Sequence, residues 1–99
     1  VKLNGFRIEL GDVERNLEAL PAVDQAAVVT VKRGGVTRAL KAFVVVNAAA
    51  PKGQTTPAAL KAQLGERVPA YMVPRTIKVL DSMPLNANNK IDRAALKGK

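Results

Sequence analysis

A single lysine, Lys90, sits in the run Pro84-Leu85-Asn86-Ala87-Asn88-Asn89-Lys90-Ile91-Asp92-Arg93, between a predicted strand and a short closing helix. Asn86, Asn88 and Asn89 make this a polar loop free of packing constraints. Asp92 is placed to cap a helix beginning near Arg93. A lysine held in this way is a long, mobile cation offered to something outside its own domain. A second notable segment opens the chain: Val1-Lys2-Leu3-Asn4-Gly5-Phe6-Arg7-Ile8-Glu9-Leu10. Arg7 and Glu9 are expected to form an ion pair fixing this segment to the first helix, and Gly5 to occupy a turn.

The elements that must position these residues follow from apolar spacing. Val1 to Ile8 reads as extended, with a turn at Asn4-Gly5. Leu10, Val13, Leu17 and Leu20 fall at helical spacing, with Asp12 and Glu14 near the positive end of the dipole and Pro21 as the stop. Asp24–Lys32 alternates as a strand, Gly34-Gly35 marks a hairpin turn, and about Thr37–Asn47 returns. Leu40, Ala42, Val44 and Val46 share one face of that return. Ala48–Gln54 reads as a loop. Thr56-Pro57 starts a helix with Leu60, Leu64 and Val68 on its buried stripe and Pro69 at its end. Arg75–Leu80 is a short third strand with Ile77 and Val79 inward. This order predicts one α+β domain over residues 1–99, a small, mainly three-stranded sheet with a hairpin, flanked by helices.

Composition narrows the chemistry. The 99 residues include no Cys and no His, which removes thiol nucleophiles, disulfides, the commonest zinc sites and a Ser-His triad. No apolar run approaches the ~20 residues of a membrane-spanning helix and no signal peptide opens the chain, so a cytoplasmic protein without membrane partners is expected. Val1 reads as a cut inside a larger polypeptide. Residues 1–31 carry a net −2 and the rest +10, within a total of +8. Such a basic surface attracts phosphates, acidic proteins or nucleic acid. Nucleic acid is disfavoured: one Tyr and two Phe supply few stacking platforms, and the basic residues lack a helix-borne cluster.

Three ordered segments resemble the C-terminal subdomain of AMP-forming adenylating enzymes, the superfamily of acyl-CoA synthetases, nonribosomal peptide synthetase adenylation domains and D-alanine–D-alanyl carrier protein ligases. Lys2–Leu10 resembles K-x-x-G-x-R-I-E-L. Val68-Pro69-Ala70-Tyr71-Met72-Val73-Pro74-Arg75 is similar to L-P-x-Y-M-[IV]-P, and Pro84–Arg93 to P-L-x-x-N-G-K-x-D-R. The resemblance implies the same α+β architecture and a domain that alternates between two orientations. In one, Lys90 meets the carboxylate and α-phosphate as acyl-AMP forms from ATP, held with Mg2+ mainly by a larger N-terminal domain in cis. In the other, the segment containing Lys2, Asn4, Gly5, Arg7 and Glu9 borders the channel for the phosphopantetheine arm of an acidic carrier protein, with Gly5 leaving room for it.

Asn88, Asn89 and Asp92 are then loop supports. Asn89 replaces the family's glycine, and Asn readily enters the left-handed region, so the loop is expected to keep its shape. Arg75, Lys78 and Arg93 are expected to extend the basic surface near Lys90, and Tyr71, Met72 and Val73 to pack beneath its loop. The resemblance favours a D-alanine–carrier protein ligase or similar amino-acid-activating domain over an acyl-CoA synthetase. No phosphate loop or acid pocket is recognisable, so the isolated chain is expected to be inactive.

Overall fold

A computed structural model describes residues 2–3, 5–50 and 52–97, and its centre is a three-stranded sheet. Chain order runs β1 (Lys2–Leu3), β2 (Phe6–Arg7), α1 (Leu10–Glu18), β3 (Val23–Arg33), β4 (Val36–Val46), α2 (Pro57–Gly65), β5 (Thr76–Val79) and α3 (Arg93–Lys97). β3 and β4 form a long antiparallel hairpin pairing Ala26 with Val44 and Thr30 with Leu40. Its turn is Gly34-Gly35, at φ +58° and +79°, the left-handed region that glycine enters without penalty. β5 adds parallel to β4, pairing Ala42 with Ile77, so the chain must cross back between them, and α2 lies on that crossover. β1 and β2 form a separate two-stranded sheet. The α+β architecture expected from the sequence is therefore the one observed.

Both faces of the larger sheet are covered, which is why β3 reads as the unbroken apolar run Ala26–Val29. Ala26 and Val28 join Leu40, Ala42, Val44 and Ile77 beneath Val13 and Leu17 of α1 and Leu60 and Leu64 of α2. Leu3 and Ile8 belong to this same cluster and hold the opening hairpin to it. On the other face Ala27, Val29 and Phe43 meet Met83 and Leu96, with Ile91 packed alongside.

The local signals for helix starts hold, while the stops fall earlier than the prolines. Thr56 Oγ1 accepts from the Ala59 N–H at 3.2 Å with Pro57 in the first turn. α1 ends at Glu18 rather than at Pro21, and α2 at Gly65 rather than at Pro69. Leu20 and Val68 are nevertheless buried, reached by turns after each helix that keep them over the core. Lys52–Gln54, expected within a loop, forms a short 3-10 turn, as does Ala70–Met72. Val79 is a correction: Ile77 is buried at 4% exposure but Val79 is 37% exposed. It is the last residue of an edge strand, where the helical cover has run out.

Candidate functional site

The Lys90 loop is shaped from within by one side chain. Asn86 Oδ1 accepts from the backbone N–H of Asn88 at 2.8 Å and of Lys90 at 3.1 Å. The backbone closes around it: Asn86 N–H donates to Lys90 O at 2.8 Å, and Asn89 N–H donates to Asn86 O at 3.0 Å. Asp92 N–H reaches Pro84 O at 2.8 Å, and Leu85 bridges Ile91. Asn86 is therefore not an unconstrained loop residue as the sequence reading has it, but the template on which the turn is wound. An Asx side chain bonding backbone two residues on is the recurrent way asparagine does this.

Asn89 has φ +58°, alone among the described non-glycine residues in the left-handed region. The asparagine in place of the family glycine thus occupies the conformation that the glycine would supply. Asn89→Val is expected to cost about 1–2 kcal/mol of local stability because a β-branched residue is strained there. Asn89→Gly should be close to neutral. Amide hydrogen exchange across residues 84–92 reads the difference; equal exchange in the two variants would contradict it.

Asp92 behaves as expected. Its Oδ1 accepts from the Ala95 N–H at 3.1 Å, satisfying an otherwise orphaned donor at the start of α3. Lys90 is exposed, and among the described residues no hydrogen bond or ion pair holds its ammonium. Asn88 is exposed and acts through its backbone. The loop thus combines a backbone held by local hydrogen bonds with an exposed lysine side chain.

Arg93 departs from expectation. It is not a free member of the basic surface, because its guanidinium is bound by Glu14 of α1 through both carboxylate oxygens, Nη2 to Oε1 at 2.9 Å and Nη1 to Oε2. The Glu14 hydrogen bond raises the Arg93 pKa above its ordinary value, against an opposing effect of burial. Arg75 instead lines a shallow groove with Arg33 and Arg38 at the β3–β4 turn end of the sheet. Lys78 is exposed on β5.

At the chain's opening, Lys2 pairs with Arg7 and Leu3 with Phe6 across the small hairpin. Gly5 has φ +82° and is exposed, and a Cβ built there would meet nothing within 4 Å. Asn4 lies outside the described residues. Arg7 and Glu9 do approach, Nε to Oε1 at 3.7 Å, but with side chains 82% and 64% exposed the pair is too solvated to fix the segment. Burial of Leu3 and Ile8 does that, helped by Phe6, whose ring stacks on Tyr71 at 4.1 Å and 5°. Tyr71 thus braces the opening hairpin, and Met72 and Val73 pack on the same core cluster. None of the three contributes to the apolar cluster that Ile91 joins beside Lys90.

The two candidate segments consequently rest on opposite faces of the sheet. Leu3 and Ile8 pack with the α1–α2 side, while Ile91 and Leu96 pack on the Phe43 side. Among the described residues no group of three or more acidic, His or Cys side chains is placed to hold a metal ion, and no helix is long and apolar enough to cross a membrane.

The described residues thus form a three-stranded α+β domain with Lys90 exposed on a hydrogen-bonded polar turn. Comparison with known families gives it a place: residues 12–90 match the AMP-binding enzyme C-terminal domain, and the chain belongs to that family. It is 47% identical over 96 residues to the dapdiamide synthesis protein DdaD of Enterobacter agglomerans, covering 97% of this chain and 16% of that protein. It is 41% identical over 96 residues to the L-allo-isoleucine:holo-[CmaA peptidyl-carrier protein] ligase of Pseudomonas savastanoi pv. glycinea, with coverage of 97% and 16%. Among solved structures it resembles a benzoate CoA ligase from Burkholderia xenovorans LB400, with TM-score 0.75 and 34% identity over 90% of this chain and 18% of that one. The chain thus spans less than a fifth of each of these proteins.

Proposed function

We propose that this domain is the mobile C-terminal lid of a ligase that activates an amino acid with ATP and passes it to a phosphopantetheine thiol. In the first half-reaction a carboxylate oxygen bonds to the α-phosphorus of ATP, the bond to the bridging oxygen breaks, and pyrophosphate leaves. Two anions must approach, and Lys90 supplies the cation that makes this tolerable. In the second, the domain swings, Lys90 withdraws, and the Lys2–Glu9 segment faces the site. The thiol then attacks the acyl carbonyl and AMP departs. Rigid swings of this kind are ordinary enzymatic devices.

The observation carrying the reading is the Lys90 ammonium, which has no partner among the described residues, on a loop braced by backbone hydrogen bonds around Asn86. In this reading Lys90 is this domain's contact with ATP-derived oxygens, and the nucleotide and its Mg2+ are held chiefly by the N-terminal domain in cis. The choice of acid, D-alanine or another amino acid, is made in that domain's pocket. The deciding experiment separates the half-reactions in the full-length cytoplasmic protein: Lys90→Ala should suppress pyrophosphate release while sparing transfer from preformed adenylate.

A carrier protein is favoured as acceptor because one relative is named as a peptidyl-carrier protein ligase, and Arg33, Arg38 and Arg75, which form no ion pair among the described residues, suit an acidic surface. The benzoate CoA ligase likeness supports the alternative, CoA as acceptor. Replacing these three arginines by Glu is expected to raise the KM for holo-carrier about tenfold or more, chiefly by slowing encounter, with adenylate formation unchanged. A carrier KM indifferent to the charge reversal would remove this surface from the docking face.

A further inference from the structure

Glu14 and Arg93 join the two faces of the domain across the open edge of β3. Glu14 lies on α1 with its side chain only 13% exposed. Its Oε2 accepts from the Val28 N–H at 2.8 Å, while Arg93 Nη1 donates to the Val28 carbonyl at 3.2 Å. The two side chains therefore satisfy both outward backbone groups of Val28 and also bind each other in a two-pronged ion pair. Glu18 reaches the Ala26 N–H at 3.4 Å in the same way. Covering an edge strand is one use of such contacts, yet Glu14 alone would cap the N–H without any arginine.

What Arg93 adds is direction. α3 is five residues long, far too short to hold itself, and Leu96 is its one buried side chain. Apolar packing of Leu96 and Ile91 holds this segment down but is non-directional. A forked guanidinium–carboxylate pair, by contrast, fixes both distance and orientation. Arg93 immediately follows the capping residue Asp92 and stands three positions beyond Lys90. Glu14 stands on the helix that directly continues the opening segment.

We infer that the Glu14–Arg93 pair is a positioning device for Lys90: it sets where the loop, and hence the ammonium, stands relative to the sheet. This inference rests on the reading of Lys90 given above.

A double-mutant cycle in the full-length protein tests it. Arg93→Gln is expected to slow adenylate formation ~10–100-fold through kcat, with the KM for ATP within about twofold, and to spare transfer from preformed adenylate. Because Arg93 acts through Lys90, Lys90→Ala/Arg93→Gln should be no slower than Lys90→Ala alone. Losses that multiply in the double variant, or that fall equally on both half-reactions, overturn the inference. Glu14→Gln retains an acceptor for Val28 and is expected to repeat the pattern should Arg93→Gln prove poorly folded. Amide exchange across residues 84–97 gives a readout independent of chemistry. Faster exchange in Arg93→Gln supports the device, and unchanged exchange sinks it. If Lys90→Ala itself leaves adenylate formation intact, the reading of Lys90 fails instead.

Discussion

Lys90→Ala in the full-length protein is expected to slow single-turnover adenylate formation by ~10²–10³-fold, the usual loss when one preorganised donor to developing charge is removed. The magnitude follows from the division of labour around the loop. Asn86, the Leu85–Ile91 bridge and the Asp92 cap fix the backbone, so only the four-carbon stem is ordered when the ammonium meets its target. The KM for ATP should change little if, as proposed, the nucleotide is held chiefly outside this chain. Lys90→Arg should restore only part of the rate. The guanidinium keeps the charge but is broad, planar and built for two-pronged contacts, whereas the proposed role calls for a compact ammonium between converging oxygens. Transfer to thiol from supplied adenylate should stay within a few-fold of wild type in both variants. Equal losses in the two half-reactions would contradict the alternating role and leave Lys90 as a general structural contact.

What the sequence displayed of this domain was whatever is encoded within a few residues. Thr56-Pro57 announces a capped helix, Gly34-Gly35 a hairpin, and Asp92 a cap, and each lies where local chemistry puts it. Asn89 in the left-handed region is legible for the same reason, since few residues other than glycine enter it as readily. The three asparagines of the loop, however, look alike in sequence, and only the folded turn singles out Asn86 as the acceptor of two N–H groups. Strand direction is likewise not a local property. β5 alternates as any short strand does, and only the crossover through α2 makes it parallel to β4.

The residues that were misread are those whose partners are remote. Arg93 looked like one more surface cation because Glu14 lies 79 positions away, and the periodicity of α1 gives no sign that this glutamate turns toward an edge strand. Tyr71 was expected beneath the Lys90 loop. Its ring instead found Phe6, at the other end of the chain. Arg7–Glu9 erred in the opposite sense: a local pair that does form, but too exposed to fix anything beside the burial of Leu3 and Ile8. Long-range pairing thus decides the site's rigidity, while short-range chemistry decides its shape.

Gly5 permits a sharper separation of strain from obstruction. At φ +82° any L-residue other than Asn or Asp is strained, by about 1–2 kcal/mol. Within its own domain, however, a Cβ there has open space on every side. Gly5→Ala and Gly5→Leu should therefore carry similar backbone strain, and where the two variants unfold with equal stability a difference in transfer points to something outside the domain. If the thiol arm passes this backbone, Gly5→Leu is expected to slow thioester formation by ~10²-fold, the scale set by a displacement of about 1 Å at the reacting centre. Gly5→Ala should lose much less, Gly5→Asn should lie close to wild type, and pyrophosphate release should vary little across the series. Rapid-quench measurement of acyl transfer from preformed adenylate resolves the three variants. Identical losses for Ala and Leu would reduce Gly5 to a turn residue, because strain alone then accounts for the effect and nothing passes close enough to be obstructed.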